Sequence, residues 1–174
     1  MNQVKDILVI GGTRYFGKSI VEELLAENHR VSVFTRGNLR PNFLQNVEHI
    51  VGDRKDHASF QKKLQGKSFD AVIDNIGYQS EDVEATLDIL KGRIDLYIFT
   101  STICIYRDQY LNGKMLREKD FQLTTDLGPA KDGMDKYAIG KIQCESKVIE
   151  QTQQSHVILR PSVVVGPDDH AMTL

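Results

Sequence analysis

Short apolar runs alternate along nearly the whole chain with segments whose apolar positions recur at helical spacing. Runs suited to strands lie near 6–10, 30–35, 47–51, 69–74, 94–100 and 155–160, and helical patterns lie near 15–28, 56–65, 79–91 and 133–153. Residues 7–10 are continuously apolar, as in a central parallel strand covered on both faces. Val31, Val33 and Phe34, the run 69–73 and the stretch from Leu96 to Phe99 are rich in β-prone side chains. In the first helical segment Ile20, Val21, Leu24 and Leu25 fall on one face. Strands joined by helical crossovers predict an α/β fold. The expected form is a Rossmann-like, doubly wound parallel sheet with strand order 3-2-1-4-5-6 and helices on both faces.

The first strand-to-helix turn carries the first chemical signal. Gly11, Gly12 and Gly17 punctuate the loop GGTRYFG, which also contains Thr13, Arg14, Tyr15 and Phe16. The N–H groups at a helix start have no acceptor within the helix, and the helix dipole adds partial positive charge there, so a pyrophosphate suits both. Arg14 stands where a G-x-x-G-x-x-G loop would carry its middle glycine.

At 174 residues the chain is long enough for one domain with a sizeable core. A hydrophobic share of 40% with 26% charged residues points to a globular protein. The net charge of −2 gives no electrostatic reason to expect nucleic acid or a membrane surface. No apolar run approaches the roughly 20 residues that span a bilayer. Cys104 and Cys144 make neither a disulfide framework nor a metal cluster, and are expected to be reduced thiols of a cytoplasmic protein. The five histidines do not cluster, so no metal site is expected.

Tyr137 and Lys141 are four apart in a helical segment and so share one face. A tyrosine with a pKa of about 10 is a poor proton carrier at neutral pH, and a nearby ammonium favours its phenolate. Thr100, Ser101 and Thr102 end the fifth strand. Their hydroxyls could meet a substrate oxygen, or they could simply cap the strand. The polar segment 107–132 leaves the same sheet edge and fits either a substrate flap or a surface loop.

Together these residues give a resemblance. The loop GGTRYFG, the strand end FTSTICIY, the pair in YAIGK and the tail LRPSVVVGP are similar, in order and spacing, to the short-chain dehydrogenase/reductase superfamily. Within it the chain resembles the extended NAD-dependent epimerase/dehydratase-like group. The resemblance implies Tyr137 as general acid/base, Lys141 as the residue that tunes it and holds the nicotinamide ribose, and Thr102 (then Ser101) as the hydroxyl of the triad. It places Arg160 and Pro161 close to the nicotinamide, Asp53 at the adenine amino group, and Ile76 and Gly77 beside the phosphate-ribose part. It also implies a small-molecule substrate and a homodimer formed through 79–91 and 133–153.

Thr35 occupies the position where an NAD-selective acid would sit, and Arg36 follows it. Arg14 and Arg36 together suit a 2′-phosphate, which favours NADP over NAD, although two solvated surface arginines would look the same in sequence. Gly52-Asp53 also reads as a turn starting the next helix, and Asp74 as a packed polar residue. No closing helix or strand pattern follows Pro167, so 1–174 is expected to be a dinucleotide-binding domain cut before most of a C-terminal substrate-binding part. The expected activity is hydride movement between a nicotinamide and a carbinol or carbonyl carbon. The loop GGTR followed by FTRG is also similar to the chloroplast stem-loop RNA-binding branch of the superfamily, which leaves a non-catalytic dinucleotide-binding or RNA-associated protein as the alternative.

Overall fold

The computed structural model describes residues 3–106, 117–118, 121, 123, 128–151 and 154–166. Six parallel strands form one sheet: β1 (Asp6–Ile10), β2 (Arg30–Thr35), β3 (Glu48–Val51), β4 (Phe69–Asp74), β5 (Ile94–Thr100) and β6 (Ser155–Leu159). Their order is β3-β2-β1-β4-β5-β6, as the alternation of patterns implies. Four helices connect them: α1 (Tyr15–Ala26), α2 (His57–Leu64), α3 (Ser80–Ile89) and α4 (Gly133–Glu150).

Successive residues of β1 serve opposite faces. Leu8 and Ile10 join Phe34, Phe60, Val83, Tyr97, Phe99 and Val148 on the side covered by α2, α3 and α4. Ile7 and Val9 join Val21, Val31, Val33 and Phe43 on the side covered by α1. The period-two alternation of a strand thus builds two cores from one apolar run.

The helix ends depart from the expected limits for local reasons. Asn28 takes a positive φ of 64° and closes α1, a conformation asparagine tolerates better than most residues. Asp56 is the N-cap of α2, its carboxylate accepting from Ser59 N at 3.0 Å. Past α4, Gln151 folds back on Gln154, its amide donating to Gln154 O and accepting from Gln154 N, both at 3.0 Å. The 3-10 turn Asn42–Asn46, which buries Phe43, is not evident from the apolar pattern.

Most of the segment 107–132, and the chain beyond Gly166, lie outside the described residues. Among the described residues no helix is long and apolar enough to cross a membrane.

Candidate functional site

The carboxyl ends of β1, β2, β3 and β4 surround a cavity of about 390 Å³. Of the residues expected to hold a cofactor, Gly11, Thr13, Arg14, Thr35, Arg36, Asp53 and Ile76 line it. Gly11 has φ +86°, and a Cβ there would fall 2.4 Å from Ile76 Cγ2. A Cβ on Gly17 would fall 2.5 Å from the Gly11 carbonyl, so the start of α1 packs against the turn at backbone distance. Arg14 is the N-cap of α1 but makes no side-chain capping bond, and the first turn carries no acidic residue. The positive end of the helix therefore keeps its charge. Asn75 Nδ2 and Ser101 Oγ are buried without a hydrogen-bond partner in the structure. A glycine cradle, an unneutralised helix start and a cavity rimmed by basic side chains fit a dinucleotide diphosphate.

Thr35 does not reach the cavity as a free hydroxyl. Its Oγ1 accepts from Gly37 N at 3.2 Å and lies 2.8 Å from His49 Nε2 on β3. Arg14 and Arg36 are exposed on the cavity rim, and among the described residues neither is held by a carboxylate. Asp53 lines the cavity and also accepts from Lys55 N at 3.0 Å, so the turn reading and the cavity reading of this residue are compatible.

At the other end of the sheet edge, α4 brings Tyr137 and Lys141 to the end of β5. The Thr102 side chain lies beside the Tyr137 phenol and favours its ionised form, while Thr102 Oγ1 accepts from Cys104 N at 3.2 Å. Of the two hydroxyls weighed from sequence, that of Thr102 lies beside Tyr137, and that of Ser101 has no hydrogen-bond partner among the described residues. Lys141 is 1% exposed. Its ammonium donates to Thr100 O at 2.8 Å and sits 4.8 Å from the ring centres of both Tyr78 and Phe99.

Burial pushes the Tyr137 phenol above its ordinary value, and the neighbouring Thr102 hydroxyl only partly opposes it. The Lys141 ammonium faces the Thr100 carbonyl and two aromatic rings. Burial also holds Lys141 below its ordinary value, against the pull of Asp74.

Arg160 and Pro161 lie beside β5 and do not line the cavity. Arg160 makes a two-pronged bond to the buried Glu145, at 3.1 and 2.8 Å, and donates to the Tyr106 hydroxyl at 3.2 Å. Pro161 O accepts from Ile103 N at 3.1 Å. Gly77 is set by packing, since a Cβ there would meet Phe99 at 2.5 Å and Val83 at 2.8 Å.

A buried ion pair under the cavity was not anticipated. Arg54 meets Asp74 through both terminal nitrogens, at 2.7 and 2.9 Å, and also donates to Asp82 O and Thr86 Oγ1. Asp74 accepts further bonds from Tyr97 OH at 2.7 Å and Ile76 N at 3.1 Å. Burial acts to raise the Asp74 carboxyl, but Arg54 outweighs it and the net value lies below the ordinary range. Arg54 and Ile76 both line the cavity, so this pair fixes the turn after β4 to the turn after β3.

The sequence profile of the NAD dependent epimerase/dehydratase family matches residues 7–173. The chain is 28% identical, over 94% of its length, to 43% of the chloroplast stem-loop binding protein of 41 kDa b of Arabidopsis thaliana. It is 27% identical, over 92% of its length, to 50% of a putative dihydroflavonol 4-reductase of Synechocystis sp.. The chain thus spans about half the length of the curated relatives it matches. The crystal structure of the Bordetella bronchiseptica enzyme WbmH, in complex with NAD+, superposes with a TM-score of 0.75 at 18% identity, covering 97% of this chain and 59% of that one. The sheet order and the glycine turn are those such a fold needs, and the family's profile runs from the first strand to beyond the sixth. The chain belongs to the NAD dependent epimerase/dehydratase family.

Proposed function

We propose that the chain is the dinucleotide-binding and proton-transferring domain of an epimerase/dehydratase-like or reductase enzyme, with NADP preferred to NAD and the substrate pocket completed outside residues 1–174. The observation that carries this reading is the juxtaposition of Thr102, Tyr137 and Lys141 on the sheet edge that also holds the glycine-loop cavity. When bound, a nicotinamide supplies or accepts a hydride at a carbinol or carbonyl carbon of a small metabolite. Gly11, Gly12, Thr13, Tyr15, Phe16 and Gly17 would hold its diphosphate, Asp53 its adenine side, Ile76 and Gly77 its phosphate-ribose part, and Lys141 and Pro161 the nicotinamide side. Tyr137 exchanges the proton with the substrate oxygen, and Thr102 orients that oxygen by a hydrogen bond. Lys141 contributes positive charge once it turns from the Thr100 carbonyl.

The intact gene product incubated with NADPH and a panel of small aldehydes, ketones and keto sugars is expected to consume the cofactor with at least one member. An internally regenerating epimerase or dehydratase would instead convert a nucleotide-sugar or hydroxyacyl panel with no net change in NADPH absorbance. Product analysis of both panels that finds no conversion contradicts the enzymatic reading.

The cofactor preference rests on Arg14 and Arg36, both on the cavity rim. Replacing both, Arg14→Ala with Arg36→Ala, removes two charge-assisted contacts to a 2′-phosphate. NADPH binding by calorimetry is expected to weaken about tenfold or more, with NADH little changed. Equal weakening of the two cofactors, or tighter binding of NADH by the unaltered chain, contradicts the two-arginine clamp.

A second reading, a non-catalytic dinucleotide-binding protein that contacts RNA, draws its support from the relative named for stem-loop binding. It predicts salt-sensitive retention of an RNA hairpin with no turnover in any panel. The retained Tyr137 and Lys141 and the net charge of −2 favour the enzyme.

A further inference from the structure

Lys141 presents a contradiction that its surroundings resolve. A side chain with 1% exposure cannot touch a ligand unless something covering it moves. Its ammonium is enclosed by the Thr100 carbonyl, the ring of Phe99 and the ring of Tyr78. Thr100 belongs to β5, and Phe99 is fully buried in the core beneath it. Tyr78 differs from both. It lies in the turn after β4 and is 50% exposed, so its ring is not locked in the core.

Tyr78 also lies at the boundary between the two halves of the site. It lines the glycine-loop cavity, whereas Thr102, Tyr137 and Lys141 do not. Its ring centre is 6.3 Å from that of Tyr137 and 4.8 Å from the Lys141 ammonium. Tyr78 therefore connects the cavity lining to the Tyr137–Lys141 pair. A ligand confined to the adenosine side need not disturb it, but one that extends to Lys141 must.

We propose that Tyr78 is the movable cover of Lys141, a positioning residue whose ring gives up the ammonium when the nicotinamide half of a dinucleotide is taken in. This rests on the dinucleotide reading above and extends it to a residue outside the proposed triad. The ring face holds the cation by its quadrupole, which the hydroxyl does not supply. Phenylalanine can therefore replace tyrosine in this role and alanine cannot. In the closed state these partners keep the ammonium from water. Cofactor entry would exchange one partner of the lysine for another.

The test compares ADP, which fills only the adenosine side, with NADPH, which reaches Lys141, by calorimetry on the unaltered chain, Tyr78→Ala and Tyr78→Phe. Removing the cover removes a contact that must be broken on binding, so Tyr78→Ala is expected to bind NADPH about two- to fivefold more tightly. ADP binding by all three proteins shows that each is folded, and the ratio of NADPH to ADP affinity in Tyr78→Ala is expected to exceed that of the unaltered chain by about the same two- to fivefold. Tyr78→Phe is expected to match the unaltered chain for both ligands. The proposal is overturned if Tyr78→Ala binds NADPH no more tightly, if ADP affinity moves in parallel, or if the phenylalanine variant behaves like the alanine one. Failure of ADP and NADPH alike to bind the unaltered chain would instead overturn the dinucleotide reading, and this inference with it.

Discussion

Asparagine in place of Asp74 is expected to destabilise the chain by about 3–5 kcal/mol, a large share of the ~5–15 kcal/mol that holds a typical domain together. The carboxylate is wholly buried, and four hydrogen bonds converge on it: two from Arg54, one from Tyr97 and one from Ile76 N. Asp74→Asn keeps the shape but leaves the buried Arg54 guanidinium without a counter-charge, and an isolated buried cation is far costlier than an absent pair. The double variant Asp74→Asn with Arg54→Met removes both charges. It is expected to recover much of the loss, because the amide oxygen introduced there would still accept from Tyr97. Urea denaturation of the three proteins measures this directly. Equal stability of the single and double variants would mean that the guanidinium finds compensation elsewhere.

The same pair fixes an acid limit. Asp74 has a folded-state pKa below its ordinary value. Its contribution is therefore fully present above the unfolded carboxylate pKa of about 3.9, and is lost as pH falls through the lower folded value. Acid unfolding of the unaltered chain should steepen below about pH 4, and Asp74→Asn should lack that component.

Tyr137→Phe is expected to lower turnover about 10²- to 10⁴-fold, the usual contribution of a positioned proton donor, and to change NADPH affinity by less than about twofold. The ring is 37% exposed and packs near Tyr78, contacts that phenylalanine retains, so the fold should tolerate the change. What is lost is the hydroxyl beside Thr102. Burial holds the phenol above its ordinary value, so the neutral, proton-donating form prevails throughout the neutral range. In the reductive direction the rate should fall only on the alkaline side, as Lys141, held below its ordinary value, and Tyr137 lose their protons. Steady-state rates against pH, with melting temperature as a control for folding, check both parts. Full activity in the phenylalanine variant would remove Tyr137 from the chemistry.

Much of the sheet can be read from the chain because each strand is a compact apolar run with its partners chosen by topology. Residues 7–10 announce a central strand, and the crossover helices then leave little freedom in the order. Helix limits are less legible, since Asn28 and the Gln151–Gln154 exchange act through backbone geometry and local amide bonds that apolar spacing does not register. The glycine turn and the Tyr137–Lys141 spacing are local signals, legible without any long-range contact.

Long-range pairings are of another kind. Arg54 and Asp74 lie 20 residues apart at the ends of β3 and β4, strands separated in the sheet by β2 and β1. In sequence Asp74 shows only as a polar residue in an apolar run. Nothing near Tyr78 hints that its ring will cover Lys141, because α4 arrives from a distant part of the chain. The distinction between Thr102 and Ser101 is likewise a matter of which hydroxyl the end of β5 turns toward α4.

If one dinucleotide site runs along the carboxyl edge of the sheet, from the glycine turn to Tyr137 and Lys141, a bound cofactor must follow that edge. A crystal structure of the chain grown with saturating NADPH would reveal its course. Diphosphate density is expected against residues 11–17, the 2′-phosphate between Arg14 and Arg36, and the nicotinamide end beside Tyr137 and Lys141 with the Tyr78 ring turned away. A cofactor whose diphosphate lies away from that turn, or whose nicotinamide end points away from Tyr137, would contradict the proposed site.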